Sequence, residues 1–294
     1  HGLAQHRLDG VTLKAAAFTN LSRDHLDYHA TYDDYFFAKL RLFGELLPPG
    51  AVAVLNTEAH VYDELVDICW GRGLGILSVG DGGELRVISR ERTARGQELI
   101  VGLDRQRFEV SLPLIGDFQA SNALVAAGLV IATGGDPEQT MHALEMLEPV
   151  PGRLQLAGRT SEGAAVYVDY AHTPDALERA LTSLRLHTKS KLYVIFGCGG
   201  DRDKTKRPLM GKIAMTLADH VIITDDNPRT EEAALIRKSI LDASPTALEI
   251  TDRSQAIAET ISQLKEGDIL LIAGKGHEQG QIIGTTVHPF CDKK

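Results

Sequence analysis

Cysteine is scarce: Cys69, Cys198 and Cys291 are the only three in 294 residues. Spacing this wide builds neither a disulfide framework nor a Cys-x-x-Cys zinc site, so a reducing, cytoplasmic setting is the expectation. No run of about 18 apolar residues occurs, and no membrane span is expected. Nor is a secretory leader expected. Positive charge is in deficit, with 31 Lys and Arg against 40 Asp and Glu for a formal net charge of -9. That balance argues against nucleic-acid binding. Internal repeats and low-complexity tracts are absent. So is an initiating methionine: the chain opens "HGLAQHRLDG", which reads as an interior start within a longer protein.

Familiar catalytic signatures fail too. "FGCGGDR" follows a strand-like run, but the third glycine of a dinucleotide fingerprint would fall on Arg202. Gly211-Lys212 and Gly274-Lys275 are each followed by a residue other than Ser or Thr, so no phosphate-binding P-loop is present. HExxH does not occur. His25 and His29 stand four apart, a spacing that can share a helix face but is weak evidence for a metal. A helix N-cap at Asp24 with a surface histidine explains "DHLDYH" as well.

What is present is ordinary globular composition, 43% hydrophobic and 24% charged, in a chain long enough for two domains. "VTLKAAAF" (11–18) and "AVAVLN" (51–56) read as strands flanking a helix over "YDDYFFAKLRLFGEL", which "PPG" ends. Short runs between 74 and 112, "GILSVG" among them, suggest a small antiparallel patch. "DFQASNALVAAGLVIATG" predicts a helix capped by Asp117 and ended by Gly134. A short helix, "PEQTMHALEML", follows. "EPVPGRLQ" (148–155), with two prolines and a glycine, is the linker candidate and separates domains at 1–148 and 149–294. Beyond it, "AAVYVDYA", "KLYVIFG", "HVIITD", "ALEITD" and "DILLIAG" alternate with amphipathic segments. In the first of these, Ala176, Leu177, Ala180, Leu181 and Leu184 share one face. This rhythm predicts an α/β fold with a mainly parallel sheet and ligands at the carboxyl ends of its strands.

The chemically rich segments fall at those ends. The glycines of "GCGGDRDKTKRP" permit backbone amides to approach an anion, and its arginines offer a planar fork to a carboxylate. A tight turn with a solvated basic helix start is the plain alternative. "TDDNPR" is good turn chemistry by itself. Asp226 and Arg229 together also suit the ammonium and carboxylate of an amino acid. "AGKGHEQG" reads as a backbone-lined loop with Glu278 projecting, or as a surface loop. Lys39, in "YFFAKLRLF", is either a lysine snorkelling at the edge of an apolar face or a partly buried amine of lowered pKa.

Together and in order, "TNLSRDHLDYH", "GDFQASNALVAAG", "PGRLQ", "VDYAHTPDAL", "FGCGGDRDKTKRPLMG", "TDDNPRTE" and "AGKGHE" resemble the Mur ligase family over essentially the whole chain. The resemblance implies the remnant of a P-loop-type central ATPase domain, with its P-loop absent, followed by a Rossmann-like C-terminal domain. It implies a cytoplasmic bacterial monomer that uses ATP and Mg2+. The family reaction is amide formation through an acyl phosphate, here joining meso-diaminopimelate to UDP-MurNAc-L-Ala-D-Glu in peptidoglycan synthesis. His25 matches a magnesium-ligand histidine, and Lys39 matches a lysine carried as an N-carbamate. Such a carbamate gives magnesium hard oxygen ligands, and Phe36, Phe37 and Leu40 are expected to desolvate the amine that forms it. Asn122 corresponds to an adenine contact, Arg153 to an arginine near the ATP phosphates and Asp169 to the aspartate that holds the ribose. His172 shares that last motif without an assigned role. Arg7 corresponds to a contact with the muramoyl substrate.

Arg202, Asp226, Asn227, Arg229, Gly274 and Glu278 match positions that bind meso-diaminopimelate. Arg229 is expected to pair with the distal carboxylate that lysine lacks, a discrimination on the order of 10⁴ where such a group is well buried. Glu278 is expected to take the distal ammonium. Two rival readings stand beside this one. The chain is a non-catalytic binding fragment of such an enzyme, or it is another amide ligase of the superfamily, such as a folylpolyglutamate synthetase.

Overall fold

A computed structural model of the chain describes residues 1–22, 28–93 and 96–293. Its contacts divide it into two compact units, His1–Glu148 and Pro149–Lys294.

The first unit opens with β1 (Ala15–Phe18) and α1 (Tyr32–Arg41), which runs into a π-helical turn at Leu42–Leu46. Thr31 caps α1 reciprocally with Asp34: each side chain accepts from the other residue's backbone amide. Such a cap contributes about 1 kcal/mol. Next come β2 (Val52–Asn56), α2 (Tyr62–Gly71), β3 (Gly75–Val79), β4 (Leu85–Arg92), β5 (Gln97–Leu103) and β6 (Gln106–Leu112). Helices α3 (Asp117–Ala132) and α4 (Pro137–Leu144) complete the unit. The six strands form one sheet in sequence order.

β1, β2 and β3 pair in parallel, whereas β4, β5 and β6 form an antiparallel meander. The antiparallel patch expected from "GILSVG" onward therefore starts one strand later. β3 lies parallel to β2 because α2 intervenes as a crossover. Leu65 and Cys69, four apart, give α2 its buried stripe, and the sequence reading did not identify that helix. The expected cap of α3 is also corrected. Gly116, at φ 100, occupies the N-cap position. The Asp117 carboxylate instead pairs with Arg90 and Arg92 on β4.

In the second unit the sequence continues through β7 (Gln155–Arg159), β8 (Ala165–Asp169), α5 (Pro174–Arg185), β9 (Leu192–Phe196), α6 (Lys206–Leu217) and β10 (His220–Ile223). It ends with α7 (Ala233–Leu241), β11 (Leu248–Glu249), α8 (Arg253–Gln263), β12 (Ile269–Ala273) and a hairpin of β13 (Gly280–Ile283) and β14 (Thr286–Pro289). The main sheet has the order β11-β10-β9-β12-β8-β7 and is parallel except for β7. Every residue of β8 and β12 is buried, as befits central strands covered on both faces. On α5 the expected face is buried at Leu177, Ala180, Leu181 and Leu184. Parallel order puts the carboxyl ends of β8, β9, β10 and β12 on one rim, and the motif-bearing loops leave from there. Among the described residues, no helix is long and apolar enough to cross a membrane.

Candidate functional site

On the rim of the second unit, the turn after β9 and the turn after β10 are locked together. Asp201 accepts from the Thr230 hydroxyl at 2.8 Å, and its own backbone amide donates to Glu231 at 2.6 Å. Arg207, 3% exposed, forks onto both Glu231 oxygens at 2.9 and 3.1 Å. The Arg207 guanidinium holds the Glu231 carboxyl far down, at about 2. Lys206 is also buried and donates to the His172 carbonyl at 2.7 Å. The solvated basic helix start considered from sequence is thus confined to Arg202 and Lys204, which are exposed, while Lys206 and Arg207 are internal struts. Gly199 sits between Arg202 and Arg229, the arginine of the turn after β10. A Cβ built there would lie 2.7 Å from an Arg229 guanidinium nitrogen and 3.8 Å from the Arg202 side chain. Only a bare backbone lets both arginines converge there.

The turn after β10 is held from the other side by β13. Arg229 has φ 50, a left-handed conformation that strains a non-glycine residue. Its amide donates to Ile282 at 3.0 Å, and its carbonyl accepts from Gly284 at 2.7 Å. Gln281 donates to the Asp226 carbonyl at 2.7 Å, and the Ile282 amide donates to Asn227 Oδ1 at 2.9 Å. Arg229 itself gives one nitrogen to the Gly200 carbonyl at 2.8 Å.

Asp226 is 7% exposed, and among the described residues its carboxylate has no hydrogen-bond partner. Gly274, at φ 111, makes room for it: a Cβ there would come within 2.6 Å of Asp226 Oδ2. The Asp226 oxygens are not sealed from solvent, so water satisfies the carboxylate until a ligand supplies a donor.

Glu278 departs from its expected posture. It does not project alone, because its Oε2 accepts from Asn227 Nδ2 at 2.9 Å and from Lys275 Nζ at 3.0 Å. Lys275 is fully buried, a finding hidden within the glycine-rich "AGKGHE". Beneath it lies a second group missed from sequence. Arg253, at the start of α8, makes two bonds to Asp292, at 2.7 and 2.9 Å, and both side chains are 0% exposed. Arg253 also donates to the Ala273 carbonyl at 2.8 Å, at the end of β12.

Asp169, at the end of β8, is buried and accepts the backbone amides of Leu154 at 2.6 Å and Ala171 at 2.7 Å. Burial pushes its carboxyl up, while those two amides pull the other way. Arg153 lies over the Tyr170 ring at 4.9 Å and adds positive charge near Asp169. The structure brings Arg153 and Asp169 into one neighbourhood; His172 adjoins it, its ring bonded to the Tyr170 carbonyl. A ribose has acceptors to find there, since each carboxylate oxygen keeps a second lone pair.

The first unit holds the remaining candidates. Asn122 is exposed on α3, and Arg7 is exposed near the N-terminus beside Gln5. His25 lies outside the described residues, as does Asp24. Lys39 is half-buried, its Nζ 5.1 Å from the centre of the Tyr35 ring. The expected apolar surround is uneven: Phe36 is buried, but Phe37 is 61% exposed. Among the described residues, no group of three or more His, Cys, Asp or Glu side chains gathers to hold a metal ion. Nor are the buried thiols reactive, since burial pushes Cys69 up to about 11 and Cys198 to about 12.

Comparison with known proteins gives this rim a context. Residues 1–130 match the Mur ligase middle domain, and residues 152–276 match the Mur ligase, glutamate ligase domain. Curated UDP-N-acetylmuramoyl-L-alanyl-D-glutamate--2,6-diaminopimelate ligases are similar throughout. Those of Zymomonas mobilis and Caulobacter vibrioides are 54% and 53% identical over 99% of this chain. A solved structure of a ligase with the same name is 36% identical, with a TM-score of 0.64 over 99% of this chain and 61% of its own. The chain spans 61% and 60% of the lengths of the two curated relatives. It belongs to the Mur ligase family.

Proposed function

We propose that this chain supplies the amino-acid-selecting site, and part of the nucleotide site, of a cytoplasmic ATP-dependent amide ligase. The ligase joins meso-diaminopimelate to UDP-MurNAc-L-Ala-D-Glu, the reaction named for its curated relatives. One observation carries the reading: Asp226, a residue only 7% exposed whose carboxylate has no protein donor among the described residues, shares a four-residue turn with the Arg229 guanidinium. A cation-seeking group and an anion-seeking group held on one rigid turn suit a zwitterion.

In this reading Asp226 receives an ammonium of the ligand, and Arg229 and Arg202 receive a carboxylate through charge-assisted, planar contacts. Glu278 takes the second ammonium with the acceptor capacity its Oε1 retains. Gly274 keeps the ligand backbone close to Asp226, where any side chain would intrude. Fixing both ends of the diamino acid orients it. One of its two ammonium groups, after losing a proton to solvent, then attacks as the amine in an oriented rather than a bimolecular encounter.

When bound, ATP supplies the phosphoryl group that turns the D-glutamyl carboxylate into an acyl phosphate. The amine then displaces phosphate through a tetrahedral intermediate. Asn122, Arg153 and Asp169 would hold the adenine, phosphates and ribose, and Arg7 the muramoyl substrate. Magnesium would be held by His25 and by Lys39. Lys39 fits that task only as a carbamate, because an ammonium repels a divalent cation. The printed names of the relatives support action on small molecules, and we read the ligase as a monomer.

Calorimetric titration of the 294-residue chain with meso-diaminopimelate, L-lysine and L-glutamate tests the reading. Diaminopimelate is expected to bind with the highest affinity of the three. Preference for glutamate would favour a folylpolyglutamate synthetase type of site, and heat from none of the three would overturn the pocket.

A further inference from the structure

Lys275 has no exposed surface, yet it carries an ammonium. Its Nζ donates to the Gly280 carbonyl at 2.7 Å, to Glu278 Oε2 at 3.0 Å and to Asn227 Oδ1 at 3.1 Å. Three acceptors use all three ammonium hydrogens, so nothing of this side chain remains to touch a ligand. Its acceptors are the informative part. One belongs to Glu278, which the proposed function assigns to the ligand's second ammonium, and one to Asn227 beside it; the inference rests on that assignment of Glu278. The Asn227 amide is fixed as a result: Oδ1 faces Lys275 and the Ile282 amide, which turns Nδ2 toward Glu278.

We propose that Lys275 is a positioning residue that sets amino-acid selectivity by charge, rejecting ligands that bring an unbalanced positive charge. At neutral pH meso-diaminopimelate carries two ammonium and two carboxylate groups and is neutral overall. Lysine lacks one carboxylate and is a net cation. Glu278, left alone beside this loop, would attract any second ammonium, whatever accompanied it. The buried charge of Lys275 already neutralises Glu278, and a buried charge is weakly screened by salt or water. An incoming ammonium therefore gains little unless its own carboxylate comes with it and meets Arg229 and Arg202. Arg229 rewards the right ligand, and Lys275 penalises the wrong one. Specificity commonly requires both halves.

The test is the ratio of diaminopimelate to lysine affinity, measured by calorimetry on the 294-residue chain and its variants. Lys275→Gln keeps hydrogen-bonding capacity without the charge, and Lys275→Met keeps the length without either. Both are expected to lower the ratio by about tenfold. Glu278→Gln acts at a partly exposed residue and leaves Lys275 uncompensated, so it is expected to move the ratio the opposite way. A merely structural role would lower both affinities together and leave the ratio alone. A folded Lys275 variant with the wild-type ratio overturns the inference. If neither Lys275 variant folds, a ratio in Glu278→Gln that is unchanged or lowered overturns it. Failure of the wild-type chain to bind either amino acid instead removes the pocket itself, a separate and recognisable result.

Discussion

The two units hold their candidate residues in different ways. In the second, Asn227 and Glu278 are gripped by the buried Lys275, and the backbone of Asp226 and Arg229 is held by half-buried residues of β13, Gln281 and Ile282. In the first, Arg7 and Asn122 stand exposed and Lys39 is half-buried. In the proposed reading, the contrast separates a recognition surface whose geometry is fixed by the protein from positions available to be organised by what binds them. Substrate discrimination needs the former, because a site loose by an ångström cannot tell two diamino acids apart.

The largest expected effect comes from breaking the support under the second unit. Arg253→Met leaves Asp292 as a buried, unpaired charge and should cost about 3–5 kcal/mol in denaturant unfolding. The double change Arg253→Met with Asp292→Leu should recover most of that loss. If the single change costs no more than a surface substitution, the second unit is not rigid for the reason given. Arg229→Ala comes next. It removes a charge-assisted contact of about 1.5–3 kcal/mol, so calorimetric affinity for meso-diaminopimelate should fall at least about tenfold, with lysine affected less.

A pH experiment sharpens the comparison further. Arg207 depresses the Glu231 carboxyl from 4.5 to about 2 in the folded chain. The unfolded state therefore binds its proton at higher pH. The stability this pair contributes is fully present above about pH 4.5 and is lost as pH falls toward 2. Acid unfolding followed by circular dichroism should lose that component in Glu231→Gln. The smallest effect is predicted for the first unit. Asn122→Ala, at an exposed helical position, should change thermal stability by no more than about 0.5 kcal/mol. A large loss there would mean that Asn122 is as constrained as its counterparts in the second unit.

The parallel strands of the second unit were legible because each is a short, continuous apolar run closed by turn residues, and the chemistry sits directly after them. Gly274 and Asp226 could be placed together on that basis. Lys275 could not, since a lysine between two glycines reads as a surface loop. Its acceptor Asn227 is distant in sequence, and nothing local announces the pairing. Arg253 and Asp292 were missed for the same reason, being 39 residues apart. A lone aspartate within "HPFCD", near the end of the sequence, was the only hint. In the first unit α2 was overlooked because its stripe rests on one leucine and one cysteine. Asp117 misled as a cap, because two arginines on β4 outcompete the helix for its carboxylate.

Arg229 keeps its left-handed backbone because β13 brackets it from both sides. The selectivity proposed for Arg229 is accordingly not portable as a single residue. Grafting an arginine alone into the corresponding turn of another family member would transplant the charge without its aim. The hairpin that follows "AGKGHE" would have to be carried across with it, as one heritable cassette.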